Sequence, residues 1–165
     1  LYTQPEDVLQ AYDLLDPIGH FSVAASFGNV HGVYKPGNVK LRPEILMNSQ
    51  SLVQETHGTG HTPLHLVFHG GSGSDKAKIS EAVSYGVFKM NIDTDTQFAF
   101  SKPVGEFVNE HPKAFIYQID PEDGTPYKKL YDPRQYLRAG EVGIVERLLE
   151  ACEDLGSKGR SIAQA

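Results

Sequence analysis

Apolar and polar positions change period several times along this chain, and the changes mark out its elements. Val8, Ala11, Tyr12 and Leu15 recur at helical spacing after Thr3-Gln-Pro-Glu6, which has the form of a capping box with Thr3 as N-cap and Glu6 reaching back. Pro17 and Gly19 end that helix. Phe21–Phe27 is apolar apart from small serines, the pattern of a strand buried on both faces of a parallel sheet. A second helix is expected from near Pro43 to about Val53, and the polar residues 55–63 read as a loop. Leu64–Phe68 forms a second strand, and Ser74 or Asp75 caps a helix that carries Ile79, Ala82 and Val83 and ends at Gly86. Val87–Ile92 gives a third strand, and Thr94 or Asp95 opens the next helix.

The order αβαβαβα points to βαβ units with parallel pairing. Three such units are too few to close an eight-stranded barrel and suffice only for part of one. The rest of the chain behaves differently. Residues 110–134 carry four prolines and no clear period, which predicts an extended arm. From Gln135 to Gly156 a helix returns, with Leu137, Ile144, Val145, Leu148, Leu149, Cys152 and Leu155 on one stripe, and residues 157–165 form a tail. The expected organisation is thus βα units over 1–109, an arm over 110–134, a helix over 135–156 and the tail.

Composition narrows the function classes. With 165 residues, 39% hydrophobic and 22% charged, the chain is long enough for a core of its own. A net charge of −6 argues against bulk nucleic-acid binding but leaves room for a local cationic pocket. The single cysteine cannot form an internal disulfide, which points to a reducing compartment. No apolar run approaches the ~20 residues of a membrane helix. The chain starts at Leu1 without Met and enters a helix almost at once, so a piece of a longer polypeptide and a trimmed terminus are both open readings.

The candidate chemistry lies where the apolar runs end. His69 is the last residue of the second run, and His31 stands four residues past Phe27. Imidazole suits zinc and similar cations, but two histidines fall short of the three or four ligands a zinc site needs, so hydrogen-bonded structural histidines remain the alternative. Gly70-Gly71-Ser72-Gly73-Ser74 stands between a strand and a helix, where glycines let backbone N–H groups approach a phosphate; tight turns also use glycine for its freedom alone. Alternation puts Asn91 and Asp93 on one face with Lys89 and Val87, and turns Phe88, Met90 and Ile92 toward covering helices. An amide and a carboxylate at a strand end suit recognition of hydroxyls or stabilisation of an enolate-like oxygen, and Asp93 or Thr94 equally suits helix capping. Lys128, Lys129 and Arg134 are either phosphate contacts or solvated charges.

Taken together, Ala24-Ala-Ser-Phe-Gly-Asn-Val-His31-Gly-Val-Tyr-Lys-Pro-Gly-Asn38, Phe68-His69-Gly-Gly-Ser-Gly-Ser74, Val87-Phe-Lys-Met-Asn91-Ile-Asp-Thr-Asp-Thr-Gln97 and Tyr131-Asp-Pro-Arg134 closely resemble class II fructose-bisphosphate aldolase, in order and over nearly the whole chain. The resemblance implies a (β/α)₈ TIM barrel of which this chain supplies roughly the last three βα units, the arm and the terminal helices. It implies zinc held by His31 and His69, and a phosphate of dihydroxyacetone phosphate held by Gly32, Gly70, Gly71 and Ser72. Asn91, Ile92, Asp93 and Thr94 match further contacts to that triose, with Asn91 and Asp93 in catalytic positions. Carbonyls of Val30, Gly32 and Gly70 match a sodium or potassium site. Arg134 matches an arginine that crosses a homodimer interface to the other substrate phosphate. The implied reaction is reversible cleavage of fructose 1,6-bisphosphate, in the cytoplasm. A third zinc histidine, an adjacent aspartate and a mobile-loop glutamate have no match here and are expected upstream, so the chain by itself is expected to be inactive. Tagatose-bisphosphate aldolase, or a non-catalytic phosphate-binding or assembly module, is the competing reading.

Overall fold

The computed structural model describes residues 2–30 and 40–161. They fall into two compact units, Leu1–Asp93 with Asp154–Ala165, and Thr94–Glu153. His31 and Gly32 lie outside the described residues.

In the first unit, helix α1 spans Pro5–Leu15 and buries Val8 and Tyr12. Its cap sits one residue later than the capping-box pattern suggests. The Gln4 N–H donates to Asp7 Oδ2 at 3.2 Å, and Pro5 occupies the first turn, where its missing N–H costs nothing. Thr3 is used otherwise: its hydroxyl oxygen accepts the Ser26 N–H and its own N–H donates to the Ser26 carbonyl, both at 2.8 Å. Helix α2, Glu44–His57, runs one turn beyond Val53 and ends where Gly58 adopts φ 66° and donates to the Gln54 carbonyl. Polar Glu55, Thr56 and His57 lie on the solvent side of that last turn, so their polarity marks exposure and not a loop. Helix α3, Lys76–Ser84, is capped by Asp75, whose carboxylate accepts the N–H groups of Ala77 and Lys78.

Strands β1, Leu66–Phe68, and β2, Val87–Met90, pair in parallel. Val23 adds a parallel bridge to Leu66, donating to the His65 carbonyl and accepting from the Val67 N–H. The sheet is therefore parallel as expected, and the first of its three runs is reduced to a single bridge. The expectation of burial on both faces does not hold within this chain. Ala25 and Phe27 join Leu64, Leu66 and Phe68 in a core covered by α1, α2 and α3, while Ser22, Ala24 and His65 on the opposite side are exposed. A register shift between Leu66 and Val67 also corrects the phase of β2. Val87 pairs with Leu66 and Met90 with Phe68, so both turn to the core although they stand three apart. Phe88, expected under a helix, is 63% exposed and meets the His65 ring edge-on. The extra residue inserted by the shift exchanges Val87 and Phe88 and leaves Lys89 and Asn91 on the expected face.

The second unit begins with α4, Thr94–Glu110. A 3₁₀ turn follows at Pro112–Phe115, then a narrow antiparallel bridge between Ile119 and Pro126, a short helix α5 at Lys128–Tyr131, and the long α6 at Pro133–Asp154. Helices α4 and α6 meet at glycines: a Cβ at Gly140 would lie 2.7 Å from the Phe100 ring, and one at Gly143 would lie 2.2 Å from the Ala99 carbonyl oxygen. Ala99 stands four residues before Pro103, which has no N–H to offer that carbonyl, so the close approach falls where the ladder of α4 is open.

Candidate active site

Two parallel strands end side by side and deliver their last polar residues to one place. The Asn91 N–H donates to the Phe68 carbonyl at 2.8 Å, continuing the pairing one residue past β2. This puts the Asn91 side chain against His69, with amide Nδ2 2.7 Å from ring Nδ1. Both residues are half-buried. With Nδ2 donating, Nδ1 holds the ring's lone pair; a half-turn of the amide presents Oδ1, moves the imidazole proton to Nδ1 and gives the lone pair to Nε2. The orientation of the Asn91 amide and the tautomer of the His69 ring are thus set together.

The glycine turn is built around the same strand end. Gly70 has φ 64°, a left-handed conformation that favours glycine. Gly71 is buried, and its N–H donates to the Asn91 carbonyl at 3.0 Å. A Cβ on Gly71 would meet Met90 Cγ at 2.6 Å and Sδ at 2.8 Å. Gly71 therefore pins the turn to the end of β2, and its N–H is committed to that bond. The half-buried Ser72 follows, and the Ser74 N–H closes the turn on the Gly71 carbonyl at 3.3 Å.

The other sequence candidates are distributed as follows. Ile92 and Asp93 continue the chain directly from Asn91, and Thr94 opens α4. Val30 is exposed at the edge of the described segment. Arg134 lies in the second unit, with an 85% exposed side chain whose guanidinium grips Asp132 through Nε at 2.9 Å and Nη2 at 2.5 Å. That fork, together with the Arg134 N–H, holds the Asp132 carboxyl down at about 2. Among the described residues no three histidine, cysteine, aspartate or glutamate side chains gather around one point, so the described part of the chain brings one imidazole to this strand end. An imidazole oriented by a neighbouring amide is the donor chemistry that a borderline cation takes. Asn29 lies within the Ala24–Asn38 motif, and spacing alone assigns it no chemistry. Its amide bonds both Phe27 and His69, and its place two residues past the last aromatic of an apolar run is the signal that could have marked it.

Comparison with known proteins gives a consistent picture. Residues 1–160 match the family described as fructose-bisphosphate aldolase class-II. A fructose-bisphosphate aldolase of Campylobacter jejuni is 57% identical over 159 residues, covering 94% of this chain and 45% of that protein. One from Edwardsiella ictaluri is 55% identical over 158 residues, covering 94% and 44%. The chain thus spans less than half the length of these relatives. The crystal structure of a Campylobacter jejuni fructose-bisphosphate aldolase superposes with a TM-score of 0.88 at 55% identity, over 98% of this chain and 47% of that one. An aldolase from Escherichia coli K12 shares the fold at 21% identity, with a TM-score of 0.60.

Proposed function

The chain belongs to the class-II fructose-bisphosphate aldolase family, and from that premise we propose that it forms part of an enzyme cleaving fructose 1,6-bisphosphate reversibly to dihydroxyacetone phosphate and glyceraldehyde 3-phosphate. The observation that carries this reading is the meeting of His69, Asn91 and the glycine turn at the carboxyl ends of two adjacent parallel strands, where α/β enzymes build their sites. The surrounding architecture is a (β/α)₈ barrel to which this chain gives the last three βα units. Support for that comes from a sheet covered by helices on one face and left open, with Ser22, Ala24, His65 and Phe88 exposed, on the other.

In this reading His69 and His31 are the chain's ligands to a catalytic divalent ion, of which zinc is the candidate. Zinc, when bound, supplies a Lewis acid that polarises the substrate carbonyl. The Asn91 amide orients the His69 ring and donates a hydrogen bond to the oxygen on which charge develops. Gly32, Gly70 and Ser72 cradle one phosphate, with Gly71 as the anchor of the cradle. Ile92, Asp93 and Thr94 line the triose, Asp93 accepting from a hydroxyl. The carbonyls of Val30, Gly32 and Gly70 hold a monovalent cation beside that phosphate. Arg134 exchanges Asp132 for the other phosphate across a homodimer interface. No helix among the described residues is long and apolar enough to cross a membrane. The compartment that goes with this reading is the cytoplasm.

The test uses the full-length enzyme that contains this sequence. Chelation abolishes cleavage and zinc restores it. His69→Ala lowers kcat/KM by more than the roughly 10–100-fold that loss of an outer partner of a ligating histidine costs. Cleavage that is unchanged by chelation and by His69→Ala would overturn the reading and favour a phosphate-binding module without catalysis.

A further inference from the structure

A second asparagine reaches the same histidine, and the reaction as proposed makes no use of it. Asn29 Nδ2 donates to the His69 carbonyl oxygen at 2.8 Å, and Asn29 Oδ1 accepts the Phe27 N–H at 2.9 Å. Both ends of one amide are therefore committed, one to the Phe27 backbone and one to the His69 backbone just past β1. The Phe27 end is rigid. Its side chain is fully buried, its ring meets Phe68 edge-on at 4.7 Å, and its carbonyl accepts the Arg42 N–H at 2.8 Å. Gly28, between Phe27 and Asn29, has φ 97°, and a Cβ there would lie 2.2 Å from the Lys40 carbonyl oxygen. The amide of Asn29 is thus a short strut set on a close-packed base, with the His69 backbone at its far end.

His69 is consequently held twice, at its ring by Asn91 and at its carbonyl by Asn29. We propose that Asn29 is a positioning residue for a divalent cation bound by His69. It fixes the peptide from which the imidazole projects and so fixes where the ring nitrogen stands. This inference rests on the reading of His69 as a metal ligand. The two hydrogen bonds of Asn29 have different chemical requirements, which separates positioning from simple turn closure. Accepting from the Phe27 N–H needs only an oxygen, and aspartate supplies one. Donating to the His69 carbonyl needs an N–H, and an aspartate in this place sets a carboxylate oxygen against a carbonyl oxygen.

The experiment takes the full-length enzyme with Asn29→Asp and Asn29→Ala, and measures three things. Zinc affinity is read by chelator competition, ligand geometry by the visible absorption of the cobalt(II) form, and apo-protein stability by thermal melting. Asn29→Asp is expected to weaken zinc by roughly 10–100-fold, the range found for outer partners of ligating histidines. It alters the cobalt spectrum, lowers apo stability by less than it lowers zinc affinity, and recovers most of kcat at saturating zinc. Asn29→Ala weakens zinc at least as much. Zinc affinity within about twofold of the parent in both variants would overturn the proposal, as would a loss of affinity matched in both by an equal loss of apo stability. A parent enzyme that binds no zinc and cleaves equally well under chelation is a failure of the functional reading itself. A zinc-dependent parent with zinc-indifferent Asn29 variants is a failure of this inference alone.

Discussion

Gln50 is polar, only 4% exposed, and belongs to no catalytic proposal. Its Nε2 donates to the carbonyls of Leu64 and Tyr85 and its Oε1 accepts the Leu64 N–H, each at 2.9 Å. One side chain on α2 thereby satisfies the backbone entering β1 and the turn leading into β2. Gly86 completes the arrangement, since a Cβ there would lie 2.5 Å from Gln50 Nε2. Gln50→Ala removes three hydrogen bonds and strands their backbone partners, so it is expected to cost on the order of 3 kcal/mol at about 1 kcal/mol per bond. Urea unfolding monitored by circular dichroism measures this, and a loss within experimental error would remove Gln50 from the framework. The sequence contains the clue, because Leu46, Gln50 and Val53 fall at positions i, i+4 and i+7 of one buried helix face. A lone amide on such a face is easily assigned to solvent. His69 was singled out because it closes the second apolar run, and Asn91 because alternation within the third put it on one face with Asp93. What spacing alone could not give is their 2.7 Å contact, which depends on how the two strands are registered.

Register also explains which elements the sequence foretold and which it did not. The alternation of strand and helix from β1 to α4 and the parallel pairing were readable from local pattern, and Asp75 is one of the two cap residues that pattern allows for α3. The first apolar run, read as a strand, pairs only through the bridge at Val23. The phase of β2 was not readable, because a shift in pairing is a property of two strands together and strict alternation within one strand cannot reveal it. The segment before α5 shows the same limit, since it is held by turn backbone bonds and by the Asp120 side chain and not by a period. Asp120 accepts from the Tyr127 hydroxyl, from the Glu122 N–H at 2.8 Å and from Lys113 Nζ at 3.3 Å. These donors, the Tyr127 hydroxyl foremost, hold its carboxyl at about 2, against an ordinary 3.8. A folded-state value below the unfolded one gives stability that is present above pH ~4 and lost as pH falls toward ~2. Tyr127→Phe is expected to raise the Asp120 value and to flatten the dependence of stability on pH in that window. Carboxyl chemical shifts followed through an acid titration check the first, and urea midpoints across the same pH range check the second. In the same unit, Gly143→Ala forces a methyl group onto the Ala99 carbonyl. It is expected to cost about 1–3 kcal/mol, as overpacking does, measured as a lowered urea midpoint; Val142→Ala, at an exposed neighbouring position, is the control expected to leave it unchanged.

At the scale of the whole molecule, the exposed surface carries more large apolar side chains than isolated surface positions explain. Phe88 is 63% exposed on the open side of the sheet, and Val145, Leu148 and Leu149 on α6 are 53%, 49% and 62% exposed. Of the apolar stripe expected on α6, Leu137, Val145, Leu148 and Leu149 are exposed, while the helix buries Gly140 and Ala151. The candidate site has a matching shortfall, with one imidazole among the described residues where a zinc site needs three or four ligands. Under the proposed reading both features are met by further barrel residues, and the chain spans 44–45% of its Edwardsiella and Campylobacter relatives. The 165-residue polypeptide, prepared by itself, is therefore expected to bind an apolar dye such as anilinonaphthalene sulfonate and to show no cleavage of fructose 1,6-bisphosphate with zinc in excess. Supplying the remaining barrel residues in trans lowers dye binding and restores cleavage, because the open sheet face is covered and the ligand set completed in the same step. Turnover by the 165 residues alone, read in a coupled assay for the triose products, would show that this chain completes its own metal site. Dye binding without rescue in trans would separate the two effects and make the exposed stripe a surface unrelated to catalysis.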